Sequence, residues 1–175
     1  MAFTVPKTWS VGETLTAANF NTHIRDNQLS FGPHLIARKA SDQNVTASTT
    51  LVNDDTLFTP SIAANEIWRL TLVHSVITGA GGMKSTWSIP TSSELQMLMT
   101  GEGVSALLQQ ARQTASDTPT LNYLANIASA RLYVMEVLFI NAGTAGAVTF
   151  RWAQTSASGT STIKANSTLW GVKLA

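Results

Sequence analysis

The chain has 175 residues, of which 44% are hydrophobic and 12% charged, about half the charged share of roughly 25% usual in soluble domains. A formal net charge of +1 gives no electrostatic basis for wrapping nucleic acid or docking on anionic lipid, since both need clustered Lys and Arg. The lack of cysteine excludes a disulfide framework and a thiolate metal site, and no run approaches the roughly 18 apolar residues of a membrane span.

The N-terminal stretch MAFTVPKTWSVG has no apolar run of the signal-peptide kind, so the chain is expected to be made in the cytoplasm and kept there until something else releases it. The length suits one β domain with a real core, residues 35–175, preceded by an arm, residues 1–34. In the arm, Thr16 is a good N-cap ahead of the helix formers Ala17 and Ala18. Leu15 and Phe20 stand at the positions of a hydrophobic staple. Phe20, Ile24 and Phe31 fall near one face at helical spacing, and Gly32-Pro33 ends the segment. So narrow a stripe cannot stabilise a short helix alone. The helix either packs back on its own domain or docks on a neighbouring chain.

From Leu35 onward the pattern changes to period two. EIWRLTLVHSVI places Trp68, Leu70, Leu72, His74 and Val76 on one face, and MKSTWSI alternates Met83, Ser85, Trp87 and Ile89 against polar neighbours. The glycine-rich TGAGG between them predicts a hairpin. The stretch at 90–119 fits short helix, strand or long excursion equally, and is read as an elaborated connection. ARLYVMEVLFI is nearly all apolar, as a strand buried on both faces would be, and NAGTAG predicts a second hairpin joining it to AVTFRWAQ. Shorter strands are expected around 35–39, 49–52, 56–59, 121–127, 161–164 and 169–174. Eight or more strands make an all-β sandwich.

The inventory for catalysis is thin. His23, His34 and His74 are scattered, no HExxH spacing occurs, TGAGGMKS lacks the glycine-lysine spacing of a phosphate loop, and Glu94, Glu102 and Glu136 form no evident acid/base pair. No catalytic, cofactor-binding or metal-binding residue is assigned. Glu136 interrupts an apolar strand and needs a partner, for which Arg131 and Arg151 are the candidates. Trp68, Trp87, Trp152 and Trp170 are most simply core or subunit-contact residues, although an exposed Trp in a shallow groove can also bind sugar. Trp68, Tyr133, Phe139 and Trp152 are the candidates for a subunit interface.

The segment TWSVGETLTAANFNTHIRDN resembles a leader that recurs at the start of tailed-bacteriophage virion proteins, carried here by Trp9, Gly12, Glu13, Thr16, Ala17, Ala18, Asn21, Ile24, Arg25, Asp26 and Asn27. Residues 37–70 and 148–175 are similar to the opening and ending of the compact β-domain behind that leader. The resemblance implies a jelly-roll sandwich like the trimeric tumour-necrosis-factor and C1q heads, displayed on a phage particle. It also implies an attachment arm built on Trp9, Leu15, Thr16, Phe20, Ile24, Arg25 and Phe31. The expected partners are the chain itself as a homotrimer, other phage structural proteins through the arm, and a glycan or protein of the host surface. A fibre or tail-associated appendage is the favoured reading. Capsid decoration is the alternative, and the missing acid pair counts against a wall-degrading hydrolase.

Overall fold

Alternation decides the largest element of the molecule. In Ile67–Thr78 the side chains of Leu70, Leu72, His74, Val76 and Thr78 are buried while the residues between them are half-buried or exposed. In the computed structural model, which describes residues 8, 10–14, 16–21, 34–101, 108–114 and 118–175, this strand is the fourth of twelve. The others are β1 (His34–Arg38), β2 (Gln43–Thr46), β3 (Val52–Phe58), β5 (Met83–Ser88), β6 (Glu94–Gly101), β7 (Leu108–Thr114), β8 (Leu121–Tyr123), β9 (Ile127–Ile140), β10 (Thr149–Ala153), β11 (Thr160–Ile163) and β12 (Thr168–Lys173), with Ile67–Thr78 as β4.

The strands make two antiparallel sheets. The larger runs β1-β12-β4-β9-β6-β7, with β11 joining β4 to β2, and the smaller runs β3-β10-β5-β8. Four pairs are nested about the middle of the chain: β5 with β8, β4 with β9, β3 with β10, and β1 with β12, alternating between the sheets. That winding is a jelly roll. The core lies between the sheets, where Trp87, Phe150 and Trp152 of the smaller meet Leu70, Tyr133, Met135 and Phe139 of the larger. The Trp87 and Phe150 rings stand edge to face at 5.2 Å.

Both expected hairpins are corrected. β4 and β5 lie in different sheets, as do β9 and β10, so TGAGG and NAGTAG are arches crossing the sandwich. The reason at the first arch is packing. A Cβ on Gly81 would stand 2.2 Å from the Ser156 carbonyl oxygen, and the Gly81 carbonyl accepts from the amides of Thr155 and Ser156 at 3.0 Å each. The turn is therefore pinned to the loop after β10 instead of folding β5 back along β4. The connection at 90–119 contains the β6–β7 hairpin, which widens the larger sheet beyond β9. β9 is not buried on both faces: Tyr133, Met135, Val137 and Phe139 point into the core, whereas Leu132 is 55% exposed and Val134, Glu136 and Leu138 are half-buried.

In the arm, α1 (Ala17–Phe20) begins where expected. Thr16 is extended at φ −87° and ψ 154°, and its Oγ1 accepts from the Asn19 amide at 3.2 Å. No residue of α1 is buried, and Phe20 is 46% exposed. Trp9, Leu15, Ile24, Arg25 and Phe31 lie outside the described residues.

Candidate interaction face

The register of the larger sheet defines what its outer surface presents. One row across it is Trp170, Thr71, Glu136, Leu98 and Gln110, the next is Val172, Arg69, Leu138, Gln96 and Arg112, and a third contains Thr168, Val73, Val134 and Thr100. Side chains of one row share a face because cross-strand partners point the same way. Apolar groups run through the middle of it: Val73, Val134, Leu138, Leu98 and Val172 are all half-buried, with no second layer above them among the described residues.

The smaller sheet presents the opposite character. Its outward rows are Asn53 and Arg151, then Phe58, Thr149 and Ser88, then Lys84 and Asn122, while Thr86, in register with Arg151, is buried against Gln113. Phe58 apart, these are polar. One exterior is polar and the other partly apolar.

Two ion pairs border the apolar strip. Arg69 Nε donates to Glu136 Oε2 at 3.0 Å, and Thr71 Oγ1 lies 3.1 Å from both carboxylate oxygens. Arg112 grips Glu94 with two bonds, Nε to Oε1 at 2.7 Å and Nη2 to Oε2 at 2.6 Å, while Gln96 Nε2 donates to Oε1 at 3.0 Å. The Arg112 hydrogen bonds, helped by Gln96, hold the Glu94 carboxyl down to about 2. Both pairs are largely solvated, so they fix side-chain direction more than they stabilise the fold. Between them lies a groove of about 840 Å³, floored by Leu98, Ala111 and Leu138 with Leu174 at its edge.

The partner of Glu136 is thus Arg69, a correction to the expectation of Arg131 or Arg151. Arg69 sits one row from Glu136 on the neighbouring strand, and Arg151, in the other sheet, donates to the Leu51 carbonyl at 3.1 Å. The subunit-contact expectation is corrected for three residues of four. Tyr133, Phe139 and Trp152 are completely enclosed within this one chain, and a side chain with no free surface cannot touch a second subunit. Trp68 is half-buried at the end of the sandwich, its Nε1 donating to Glu66 at 2.9 Å. Leu98, Leu138 and Val172 were missed; the alternation of β9 was the available signal, hidden because its outward positions are apolar too.

His74 is buried in the core, where its Nε2 meets the Tyr123 hydroxyl at 2.7 Å, and the Ser85 hydroxyl lies 3.0 Å from that same oxygen. Burial holds the imidazole down to about 3 and pushes the Tyr123 phenol up. This is a structural histidine. Among the described residues, no three His, Asp or Glu gather into a metal-holding group, and no helix is long and apolar enough to cross a membrane.

Fold and surface together define a jelly-roll β-sandwich with one polar and one partly apolar exterior. No family model matches the chain, and no curated protein does. Among solved structures it is similar to a chain of the infectious bursal disease virus VP2 subviral particle, at 9% identity over 82% of this chain and 41% of that one, with a TM-score of 0.24. It is similar also to a chain of the Gx strain of that virus, at 10% identity over 80% of this chain and 38% of that one, TM-score 0.20. The chain spans about two fifths of the length of these structures, and a likeness at this level carries no functional argument.

Proposed function

We propose that this chain is a non-enzymatic structural protein of a tailed-phage virion: a jelly-roll head that trimerises through the outer face of its larger sheet and is held on the particle by its N-terminal arm. The observation that supports this most is the contrast between the two exteriors. The smaller sheet faces outward with Asn53, Lys84, Ser88 and Asn122, whereas the larger carries Val73, Leu98, Val134 and Leu138 with no described residue layered over them. Threefold symmetry and the phage setting come from the leader motif and the resemblance of the head. A role as a fibre or tail-associated appendage, touching a glycan or protein of the host, is favoured over capsid decoration because similar leaders occur on such proteins.

The capped but unburied α1 suits an arm that finds its partner elsewhere. Multi-angle light scattering on the purified chain is expected to give a trimer at micromolar concentration, and a stable monomer would sink the assembly. Removing residues 1–33 is expected to leave the trimer intact and abolish its incorporation into particles. Labelled trimer that binds host cells saturably supports the appendage; no cell binding, together with fragile particles in its absence, supports decoration.

A further inference from the structure

At the open edge of the sandwich a lysine is buried where no solvent reaches it. Lys39 follows β1, the edge strand of the larger sheet, and its side chain is completely enclosed. Nζ lies 3.0 Å from Oδ1 of Asp54, which is equally buried, 3.1 Å from Gln43 Oε1, and in contact with Oδ1 of Asp55, whose side chain is half exposed. Asp54 and Asp55 belong to β3, the edge strand of the smaller sheet. β3 bulges there, the six residues from Asn53 to Phe58 lying opposite the three of β10 from Arg151 to Thr149.

The bulge aims two backbone amides at one carboxylate oxygen: Thr56 N lies 3.0 Å and Leu57 N 2.9 Å from Asp54 Oδ1. The other oxygen, Oδ2, is buried and has no hydrogen-bond partner among the described residues. A simple ion pair explains Oδ1 and leaves Oδ2 unexplained, since an unpartnered buried carboxylate oxygen is costly.

We propose that Lys39 and Asp54 join in an intramolecular isopeptide bond, with Asp55 as the proton carrier, stapling the two sheets of a chain that has no cysteine to do so. Asp55 takes a proton from the Lys39 ammonium and passes it to Asp54 Oδ2, and the freed amine attacks Cγ of the now neutral carboxyl, one bond beyond the oxygen it already touches. Negative charge develops on Oδ1, where the Thr56 and Leu57 amides stabilise it. The C–Oδ2 bond breaks, and Oδ2, already carrying the first proton, departs as water with the second amine proton. Ammonium and carboxylate become a secondary amide and one water, with no outside reagent and no change of net charge. Burial favours the step twice, by raising the cost of the separated charges and by holding the reacting groups together.

The test is the intact mass of the full chain under denaturing conditions, after allowing for the N-terminal methionine. The expected mass is one water below that of the sequence, and a proteolytic digest is expected to hold a branched peptide joining Lys39 to Asp54. Lys39→Arg and Asp54→Ala are expected to run at full mass. Asp54→Asn is expected to lose ammonia and reach the same linked product. Asp55→Asn is expected to link at least tenfold more slowly, and linkage at the normal rate would remove Asp55 from the scheme. A folded wild-type chain that keeps its full mass after prolonged warming overturns the proposal, whether or not any variant folds.

Discussion

The side-chain amide of Gln113 pairs with both backbone groups of Trp87: Oε1 accepts from the Trp87 amide at 3.3 Å, and Nε2 donates to the Trp87 carbonyl at 2.5 Å. Oε1 also accepts from Thr86 Oγ1 at 3.2 Å. Its neighbour β8 pairs only with Met83, Lys84 and Ser85, so the rest of β5 would show a bare edge. A side chain from β7 in the opposite sheet stands in for the missing strand.

Gln113→Leu keeps the volume and orphans both Trp87 groups inside the protein. Each buried unsatisfied group costs about 1–3 kcal/mol. Urea unfolding is expected to show a loss of that size or more, whereas Gln110→Leu, at an exposed position on the outer side of the same strand, is expected to change stability by less than about 0.5 kcal/mol.

Gly81→Ala is expected to be among the most damaging small changes. The new Cβ would meet backbone oxygens of Ser156 and Ser158 at 2.2 and 2.6 Å, and backbone cannot swing aside as a side chain does. A loss of roughly 2 kcal/mol or more is expected, read as a lower midpoint of urea unfolding.

Stability is expected to fall on mild acidification because of His74. Burial holds its folded value at about 3, against roughly 6.5 in the unfolded chain, so below about pH 6.5 the unfolded state takes up a proton that the native state refuses. The contribution is whole above that point and is lost at nearly 1.4 kcal/mol per pH unit on the way down, about 2 kcal/mol by pH 5. Asp42, Asp55, Glu66 and Glu94 all lie below the usual carboxylate range, so their own losses begin only near about pH 4. Urea unfolding at several pH values would show the slope, and His74→Gln is expected to flatten it between about pH 6.5 and 5.

Leu138→Asp and Leu98→Asp are expected to turn the proposed trimer into monomers while leaving the fold intact, because both side chains lie on the outward rows. Ser88→Asp, exposed on the other sheet, is expected to leave the trimer unchanged. Light scattering and circular dichroism separate loss of assembly from loss of folding.

Strand positions were legible in the sequence because period two survives in β4, β5, β10 and β12. The Thr16 cap was legible as well, since its hydroxyl acts within three residues. Pairing was not. Glycine in TGAGG says that the chain bends, but whether it returns to its own sheet depends on the loop at 154–159, far away in sequence. The partner of Glu136 was misassigned for the same reason, register being set by turns at both ends of β4 and β9. Lys39 and Gln113 carried no local signal, because a buried lysine and a strand-capping glutamine look in the sequence like ordinary surface residues. The outer face was half legible: apolar residues in β9 stood out, and the monomer core claimed those that were singled out.

Nested pairing also sets an order of events on the ribosome. The inner partners, β6 with β7 and then β5 with β8, emerge close together, but β4 must wait for β9, β3 for β10, and β1 for β12. Contacts so distant in sequence make for slow folding. Until β12 has been synthesised, β4 keeps most of one edge unpaired, β11 covering only Val76 and Ile77, and β1 has no strand to join, so the nascent head remains open along the side where Lys39 and Asp54 later meet. Closure of that seam waits for β12, and a bond formed there would report, in a single mass, that the strand which closes β1 into the sheet had been made.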